Sequence, residues 1–168
     1  ELAKKIFGTL AGRKILIIGA GEMAELTCTH LVGNGAEDIT VVNRSPAQAR
    51  LLAEKFHGAA VGLEALDEAL CDVDIVISST GAPTYVVTGE MVRRCLRKRK
   101  NRLLFLVDIA VPRDIDPAAD EIENVYLYNI DHLQDIVDEN IKNRRREALK
   151  AEAIIEEEVA NYTNWIKE

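Results

Sequence analysis

The sequence predicts an α/β fold in which a doubly wound parallel sheet is followed by a long C-terminal helix. Along residues 13–130, short runs of branched apolar residues alternate with segments of helical spacing, a pattern typical of a parallel sheet covered by helices. The first apolar run ends abruptly in a glycine-rich turn at Gly19. The final stretch, residues 131–168, contains neither proline nor glycine. These observations predict one main domain with a helical extension.

Composition narrows the classes of protein to consider. The apolar fraction of 48% and charged fraction of 29% are globular values, and 168 residues suffice for a buried core. The net charge of −7 argues against a general nucleic-acid or anionic-membrane binder. No apolar run has membrane-spanning length, and residues 1–5 do not resemble a signal peptide. We therefore expect a cytoplasmic protein without a membrane partner.

Cysteine usage agrees with that expectation. The three cysteines are scattered, and no C-x-x-C pattern occurs. They are typical of reduced thiols, and we expect Cys28 and Cys71 to fill space in the core. We assign no catalytic and no metal-ligating residue within this chain.

The first element, in chain order, is a short linking helix. Leu2 and Ile6, with either Ala3 or Leu10, share one face of a helix over residues 1–10. Gly12 is expected to end it. We assign residues 1–12 to this linker and residues 13–130 to the main domain.

The most informative motif is the turn that follows the first strand. Residues 15–18 predict a strand buried on both faces, and a Gly-x-Gly-x-x-Ala pattern follows between this strand and a helix over residues 22–32. Gly19 permits the tight turn, Gly21 lets a pyrophosphate approach the backbone, and Ala24 allows close helix packing. This context predicts a Rossmann NAD(P)-binding fold, whereas the alternative is a glycine turn with no ligand. The assigned cofactor-binding residues here are Gly19, Ala20, Gly21, Glu22, Met23 and Ala24.

The second strand, residues 39–42, ends at a sequence that predicts NADP rather than NAD. An acidic side chain here would hold a ribose 2′-hydroxyl, but the residues are Asn43, Arg44 and Ser45. A guanidinium and a hydroxyl suit a 2′-phosphate, which a carboxylate would repel. Two alternatives remain: Arg44 is only a solvated charge, or Ser45 serves as the cap in a capping box with Gln48.

The remaining elements complete the alternation. Helices are predicted over residues 46–56, 63–70 and 88–95, and strands over residues 58–61, 74–78, 103–107 and 124–128. The default order for such a sheet is 3-2-1-4-5-6. The loop after the fourth strand then lies across the crevice from the glycine turn. Its small residues Ser79, Thr80 and Gly81 suit close passage beside a cofactor, although an ordinary turn would look the same.

Two further segments have an open interpretation. Residues 93–102 form a dense basic cluster, which we interpret as a solvated helix end, with a nucleic-acid contact as the alternative. Residues 131–168 predict one helix with a mostly apolar stripe, too long to pack only on a domain of this size. We expect it to be the start of a connector or oligomerisation arm. The stripe consists of Leu133, Val137, Ile141, Arg144, Ala148, Ala151, Ile155, Val159, Tyr162 and Ile166.

Four motifs together resemble the NADPH-binding domain of the glutamyl-tRNA reductase family. They are Gly-Ala-Gly-Glu-Met-Ala at 19–24, Val-Asn-Arg-Ser at 42–45, Ile-Ser-Ser-Thr-Gly-Ala-Pro at 77–83, and the stretch 105–117, Phe-Leu-Val-Asp-Ile-Ala-Val-Pro-Arg-Asp-Ile-Asp-Pro. A further match is Val-Tyr-Leu-Tyr-Asn-Ile-Asp at 125–131. The stretch 105–117 is the most specific. The resemblance extends over essentially the whole chain and adds Ile109 and Ala110 to the expected cofactor contacts.

The resemblance implies an oxidoreductase of tetrapyrrole (porphyrin) biosynthesis. In the family, a cysteine thiolate attacks the ester of glutamyl-tRNA, and NADPH reduces the thioester to glutamate-1-semialdehyde. That cysteine belongs to an N-terminal catalytic domain that precedes residues 1–10. None of the cysteines here sits in its motif, so the fragment alone is expected to be inactive.

The resemblance also implies partners. Glutamyl-tRNA would bind through the missing N-terminal domain, and a homodimer would form through a missing C-terminal domain joined by the family's spinal helix, here residues 131–168. The downstream glutamate-1-semialdehyde aminomutase is a further expected partner. Two other readings of the chain remain: a shikimate-dehydrogenase-like NADP-dependent module, and a non-catalytic dinucleotide-binding module.

Overall fold

A six-stranded, fully parallel sheet organises the larger of two units in the chain. The structure, a computed structural model, describes residues 2–166, and the boundary between the units follows Ile130. The strands are β1 (Lys14–Ile18), β2 (Asp38–Asn43), β3 (Ala59–Gly62), β4 (Ile75–Ser78), β5 (Leu104–Asp108) and β6 (Val125–Asn129). Their order is β3-β2-β1-β4-β5-β6, which confirms the predicted doubly wound sheet.

Helices connect the strands in the expected alternation. They are α1 (Leu2–Phe7), α2 (Glu22–Gly33), α3 (Pro46–Lys55), α4 (Leu66–Asp72), α5 (Gly89–Lys98) and α6 (Ile130–Ile166), with short 3-10 helices at Leu63–Ala65 and Pro117–Glu121. None of the helices within residues 2–166 combines the length and apolar character that a membrane crossing requires.

The core is thickest around the three central strands. All residues of β4 and β5 are buried, as are residues 15–18 of β1. Branched side chains from these strands pack with α4 and α5, through residues such as Leu70 and Val92. Burial on both faces explains why these strands appear in the sequence as unbroken apolar runs. Their shared carboxyl edge is consequently a rigid platform for the loops that follow it.

The helix at the N-terminus is shorter than the sequence predicted. α1 ends at Phe7, and Gly8, at φ +77°, donates its N–H to the carbonyl of Lys4. A left-handed glycine terminates a helix by this kind of backward bond. Gly8 rather than Gly12 is therefore the helix stop. Leu10 lies after the end of the helix and packs in the core, where it is 4% exposed.

The cysteine prediction is confirmed for Cys28, which is buried. Cys71 is only partly buried at the margin of the core, whereas Cys95 is buried within it. Cys95 belongs to α5. Because basic residues surround it in the sequence, the sequence did not indicate that this helix has a buried face.

The basic cluster contains one residue that is not solvated. Arg99 is 6% exposed and sends its guanidinium under α4. It donates hydrogen bonds to the carbonyl oxygens of Leu70, Cys71, Val73, Arg102 and Leu103. The interpretation of residues 93–102 as a uniformly solvated helix end is therefore wrong at Arg99, because this side chain supplies donors that the end of α4 needs. Arg94, by contrast, makes an exposed ion pair with Asp67.

The second unit is a single continuous helix. α6 runs without interruption to Ile166, as the absence of proline and glycine predicted, and residues 167 and 168 lie outside the described part. Tyr162 and Trp165 stack in a tilted arrangement with ring centroids 6.1 Å apart. Its role as a connector stays a prediction.

Candidate functional site

A cleft of about 350 Å³ lies at the carboxyl edge of the sheet, where the chain order reverses between β1 and β4. Such a switch point is the usual ligand position in an open parallel sheet. The cleft is bounded by the turn after β1, the end of β2 with the start of α3, and the loop after β4. Its lining residues are Ile18, Gly19, Ala20, Gly21, Asn43, Arg44, Gln48, Leu63, Ser79, Thr80, Gly81, Ala82, Pro83 and Val86.

The two glycines of the turn meet different demands. Gly19 has φ +112°, and a Cβ added there would lie 2.9 Å from the carbonyl oxygen of Ser79. Backbone conformation and close packing against the neighbouring strand both require glycine at this position. A Cβ at Gly21 would meet no atom within 4 Å, and φ is an ordinary −87°. The absence of a side chain at Gly21 is therefore not needed by the fold, and it leaves open space in the cleft.

The start of α2 faces this space with unsatisfied donors. Gly21 is the N-cap residue, and no side chain accepts a hydrogen bond from the first turn. A helix start of this kind presents free N–H groups and the positive end of the helix dipole, which suit a phosphate. Ala24 is 1% exposed, as expected for the small residue where the helix approaches the sheet.

The end of β2 contributes a small polar cluster. Asn43 donates from Nδ2 to Oε1 of Gln48 at 3.1 Å, and Ser45 Oγ accepts the N–H of Gln48 at 3.5 Å. Ser45 therefore caps α3, as predicted. The reciprocal bond of a full capping box is replaced by the contact with Asn43, which turns Gln48 towards the cleft. Gln48 was not predicted as a site residue, because the sequence pattern assigned it to a capping box.

Arg44 presents a free guanidinium at the rim. Its side chain is exposed, and among residues 2–166 it has no hydrogen-bond or ion-pair partner. Lys14, at the opposite end of the sheet, is by contrast paired with Asp72 at 2.5 Å. An unpaired cation at the rim of a cleft raises the local positive potential and favours a phosphate.

The loop after β4 forms the other side of the cleft. Ser79 Oγ is the one buried side-chain oxygen or nitrogen in the described chain that lacks a hydrogen-bond partner. The Thr80 hydroxyl, in contrast, donates to Asp114 Oδ1 at 2.5 Å and accepts the N–H of Ala82 at 3.1 Å. An orphaned buried hydroxyl is costly unless another group satisfies it, so Ser79 fits a polar ligand in the cleft.

Two buried carboxylates behind this loop were not singled out from the sequence. Asp114 accepts hydrogen bonds from Ser78 Oγ at 2.6 Å and from the Thr80 N–H at 2.7 Å. Asp108 accepts the backbone N–H groups of Ala110, Asp114 and Ile115. Burial raises the pKa of Asp108, and the backbone donors oppose that effect. The sequence feature that contains both carboxylates is the turn-rich stretch 108–117. Its composition did not indicate which groups the carboxylates contact.

Several of the predicted site residues lie outside the cleft lining. Glu22 and Met23 are exposed on the first turn of α2, and Ser45 is occupied as a cap. Ile109 and Ala110 follow β5, one strand farther from β1, where the Ile109 N–H bonds to the Ser78 carbonyl at 2.9 Å. Their contribution to cofactor binding stays a prediction. The predicted residues that the structure does bring together in the lining are Gly19, Ala20, Gly21, Asn43, Arg44, Ser79, Thr80 and Gly81.

Among the described residues, those that line the cleft include no cysteine, histidine, aspartate or glutamate. Burial raises the pKa of Cys28 to about 11 and that of Cys95 to about 12, so both thiols are protonated near neutral pH. Within residues 2–166, no group of three or more His, Cys, Asp or Glu side chains is arranged to hold a metal ion. The geometry suits binding of a dinucleotide.

Comparison with known proteins gives consistent relatives. The family model described as shikimate / quinate 5-dehydrogenase matches residues 1–136. Glutamyl-tRNA reductase of Syntrophus aciditrophicus is 64% identical over 99% of this chain, which spans 39% of that relative. The solved glutamyl-tRNA reductase of Methanopyrus kandleri is 38% identical with a TM-score of 0.84, over 95% of this chain and 40% of its own. The nucleotide binding domain of the Thermoplasma volcanium enzyme, 20% identical with a TM-score of 0.63, supports the fold; the alignment covers 86% of this chain and 94% of that one. The resemblance predicted from the motifs is confirmed.

Proposed function

The chain belongs to the family described as shikimate / quinate 5-dehydrogenase and corresponds to the nucleotide-binding part of glutamyl-tRNA reductases, and on that premise we propose that it binds NADPH. The proposal extends to the longer protein. NADPH bound in this domain would reduce a glutamyl thioester to glutamate-1-semialdehyde, an aldehyde-forming step of tetrapyrrole synthesis. The chain spans about two-fifths of the curated relatives it matches, so this activity belongs to the whole protein.

The observation that carries the proposal is the pairing of open space at Gly21 with a free guanidinium at Arg44. A pyrophosphate can approach the backbone at Gly21 because no Cβ intervenes, and it meets the unsatisfied start of α2. A 2′-phosphate on the adjoining ribose would lie near Arg44, on the neighbouring strand end. The neutral Asn43 removes the repulsion that a carboxylate would impose.

The other residues of the cleft would orient the dinucleotide. Ser79 Oγ offers a hydrogen bond that the protein itself leaves unused. Leu63, Pro83 and Val86 supply apolar surface, as expected for a site that takes a planar base. Ile109 and Ala110 follow the adjacent strand, and we propose that their backbone extends the site past β4. When bound, NADPH supplies the hydride.

The nucleophile of the reaction is proposed to lie outside this chain. Hydride transfer requires an acyl group already activated as a thioester. Buried thiols with a raised pKa, Cys28 and Cys95, are poor nucleophiles for that step. Glutamyl-tRNA is accordingly proposed to contact a separate domain, a homodimer to form beyond α6, and the semialdehyde to pass to an aminomutase.

The test compares the isolated chain with the longer protein encoded by the same gene. We expect the longer protein to oxidise NADPH in the presence of glutamyl-tRNA and to release glutamate-1-semialdehyde. The isolated chain should bind NADPH and yield no semialdehyde above background. Turnover by the isolated chain would contradict the missing nucleophile, and alanine substitution of each cysteine would then locate it.

The matching family model favours one alternative, a dehydrogenase that acts on shikimate. The same protein, incubated with shikimate and NADP, distinguishes the two. We expect no reduction of NADP in that assay. A shikimate-dependent rate, without a response to glutamyl-tRNA, would replace the proposed function with the alternative. NADPH binding without turnover of either substrate would instead favour a non-catalytic dinucleotide-binding module.

A further inference from the structure

One buried residue holds both ends of the loop that forms a wall of the cleft. The Asp114 carboxylate accepts the N–H and hydroxyl of Thr80 at 2.7 and 2.5 Å. Its backbone carbonyl accepts the N–H groups of Val86 and Val87 at 2.7 and 3.0 Å. Thr80 and Val86 are the two ends of a loop whose middle lines the cleft. Asp114 thus holds the two ends of this loop, residues 80–87, in fixed positions.

Asp114 is itself held rigidly from behind. It is fully buried, and its own N–H bonds to Asp108 Oδ2 at 2.9 Å. The next residue, Ile115, donates to the same oxygen at 2.8 Å and forms a parallel bridge with Val87. Asp108 is the last residue of β5, so the support comes from the carboxyl end of a fully buried strand. We call Asp114 with these hydrogen bonds the clamp. It fixes the loop relative to the sheet.

The middle of the loop has little support of its own. Gly81, Ala82 and Pro83 line the cleft, and among residues 2–166 these three make only the local hydrogen bond from the Ala82 N–H to Thr80 Oγ1. A Cβ at Gly81 would meet no atom within 4 Å, so packing does not fix the backbone there. The conformation of this wall therefore depends on the anchors at its ends.

We propose that Asp114 is a positioning residue for dinucleotide binding, which fixes residues 80–87 and the adjoining Ser79 hydroxyl as one wall of the cleft. This inference rests on the proposed function, because it concerns the same site. Asp114 acts through the loop and does not line the cleft. Preorganisation of this kind raises affinity by removing the cost of ordering the wall when the ligand binds.

The variant Asp114→Asn tests the clamp with almost no change in volume. Asn has one acceptor oxygen and one NH₂ donor, whereas the three groups around the carboxylate, from Ser78 and Thr80, all donate. At least one donor is then left unpaired. Asp116→Asn is the matched control, because its carboxylate is likewise a hydrogen-bond acceptor but for the backbone N–H groups of Gly89 and Ala118, outside the loop.

Dissociation constants for NADPH and NADH are measured by fluorescence titration, at a temperature where circular dichroism shows each variant to be folded. If the ordered wall is populated one-tenth of the time in Asp114→Asn, both affinities fall about tenfold and their ratio is unchanged. Hydrogen exchange should accelerate at the amides of Thr80, Val86 and Val87. Asp116→Asn should alter neither the affinities nor these amides.

Equal affinities in folded Asp114→Asn and wild type would overturn the inference and leave the proposed function intact. A wild type that binds neither nucleotide would overturn the proposed function as well. If Asp114→Asn does not fold, Thr80→Val replaces it. This variant removes the hydroxyl's bond to Asp114 Oδ1 and its bond from the Ala82 N–H, but it keeps the bond from the Thr80 N–H to Asp114 Oδ2. A loss of about threefold to tenfold is expected for that variant, and no loss would overturn the clamp.

Discussion

At the scale of single residues, the site combines positions that the fold requires with positions that it does not. Gly19 is required by its φ of +112° and by the carbonyl of Ser79, whereas Gly21 lies in an ordinary conformation beside open space. The motif predicted different roles for the two glycines, and the structure shows how their backbone conformation and surroundings differ. The two charged residues Arg44 and Asp114 also differ in their surroundings. Arg44 lies at the rim without a partner among the described residues, whereas Asp114 is buried and accepts hydrogen bonds from three donors.

Gly21→Val is expected to abolish dinucleotide binding in a protein that still folds. Its Cβ has no protein atom within 4 Å, but the valine side chain occupies the space through which a pyrophosphate reaches the backbone. We expect NADPH affinity to fall about 100-fold or more, with thermal unfolding unchanged. Gly19→Ala is the contrasting variant, and its left-handed φ should cost about 1–3 kcal/mol of stability. Undiminished binding by folded Gly21→Val would move the site away from this turn.

Arg44→Ala is expected to weaken NADPH binding selectively. Loss of a charge-assisted contact to a partly exposed phosphate should cost about 1–3 kcal/mol. NADH lacks the 2′-phosphate, so its affinity should change little. Titration of both nucleotides measures the difference, with Arg50→Ala, another exposed arginine nearby on α3, as the matched control. An equal loss for NADPH and NADH would show that Arg44 does not read the 2′-phosphate.

At the scale of elements, the sequence predicted every strand to within about one residue at each end. It could do so because a strand buried on both faces leaves an uninterrupted apolar run, as at residues 75–77 of β4. Helix ends were less predictable. α5 extends to Lys98, past the predicted residue 95, because its basic last turn resembled a solvated tail. The carboxylates after β5 were not assigned, since the partners of Asp114 lie more than 30 residues away in the chain.

Arg99→Met is expected to destabilise the sheet unit without affecting the cleft. Its guanidinium is buried beneath α4, and burial lowers its pKa. Methionine keeps most of the volume but removes the guanidinium that donates to several carbonyls, including those of Cys71 and Val73. We expect a loss of about 2–4 kcal/mol in urea unfolding, whereas exposed Arg97→Met should cost less than about 0.5 kcal/mol. A loss no larger for Arg99→Met than for Arg97→Met would contradict this role.

At the scale of the whole molecule, the chain contains a complete six-stranded Rossmann-like sheet and spans about two-fifths of the relatives it matches. The glutamyl-tRNA reductases that it matches are more than twice its length. The proposed cofactor site could be predicted from the sequence because its motifs are local and follow predicted strands. The proposed acceptor of the hydride was named only through the family resemblance, because no motif in the sequence indicates it. α6 exposes apolar residues such as Val159 and Ile166, and its role as a connector stays a prediction.

The central claim is that this cleft binds NADPH in preference to NADH. Isothermal titration of the wild-type chain with each nucleotide at low ionic strength tests it most directly. We expect saturable binding of one NADPH per chain and an affinity at least about tenfold higher than that for NADH, as one charge-assisted phosphate contact supplies. Equal affinities, or tighter binding of NADH, would contradict the assignment of Asn43, Arg44 and Ser45 to the 2′-phosphate. Absence of binding by either nucleotide would contradict the site itself.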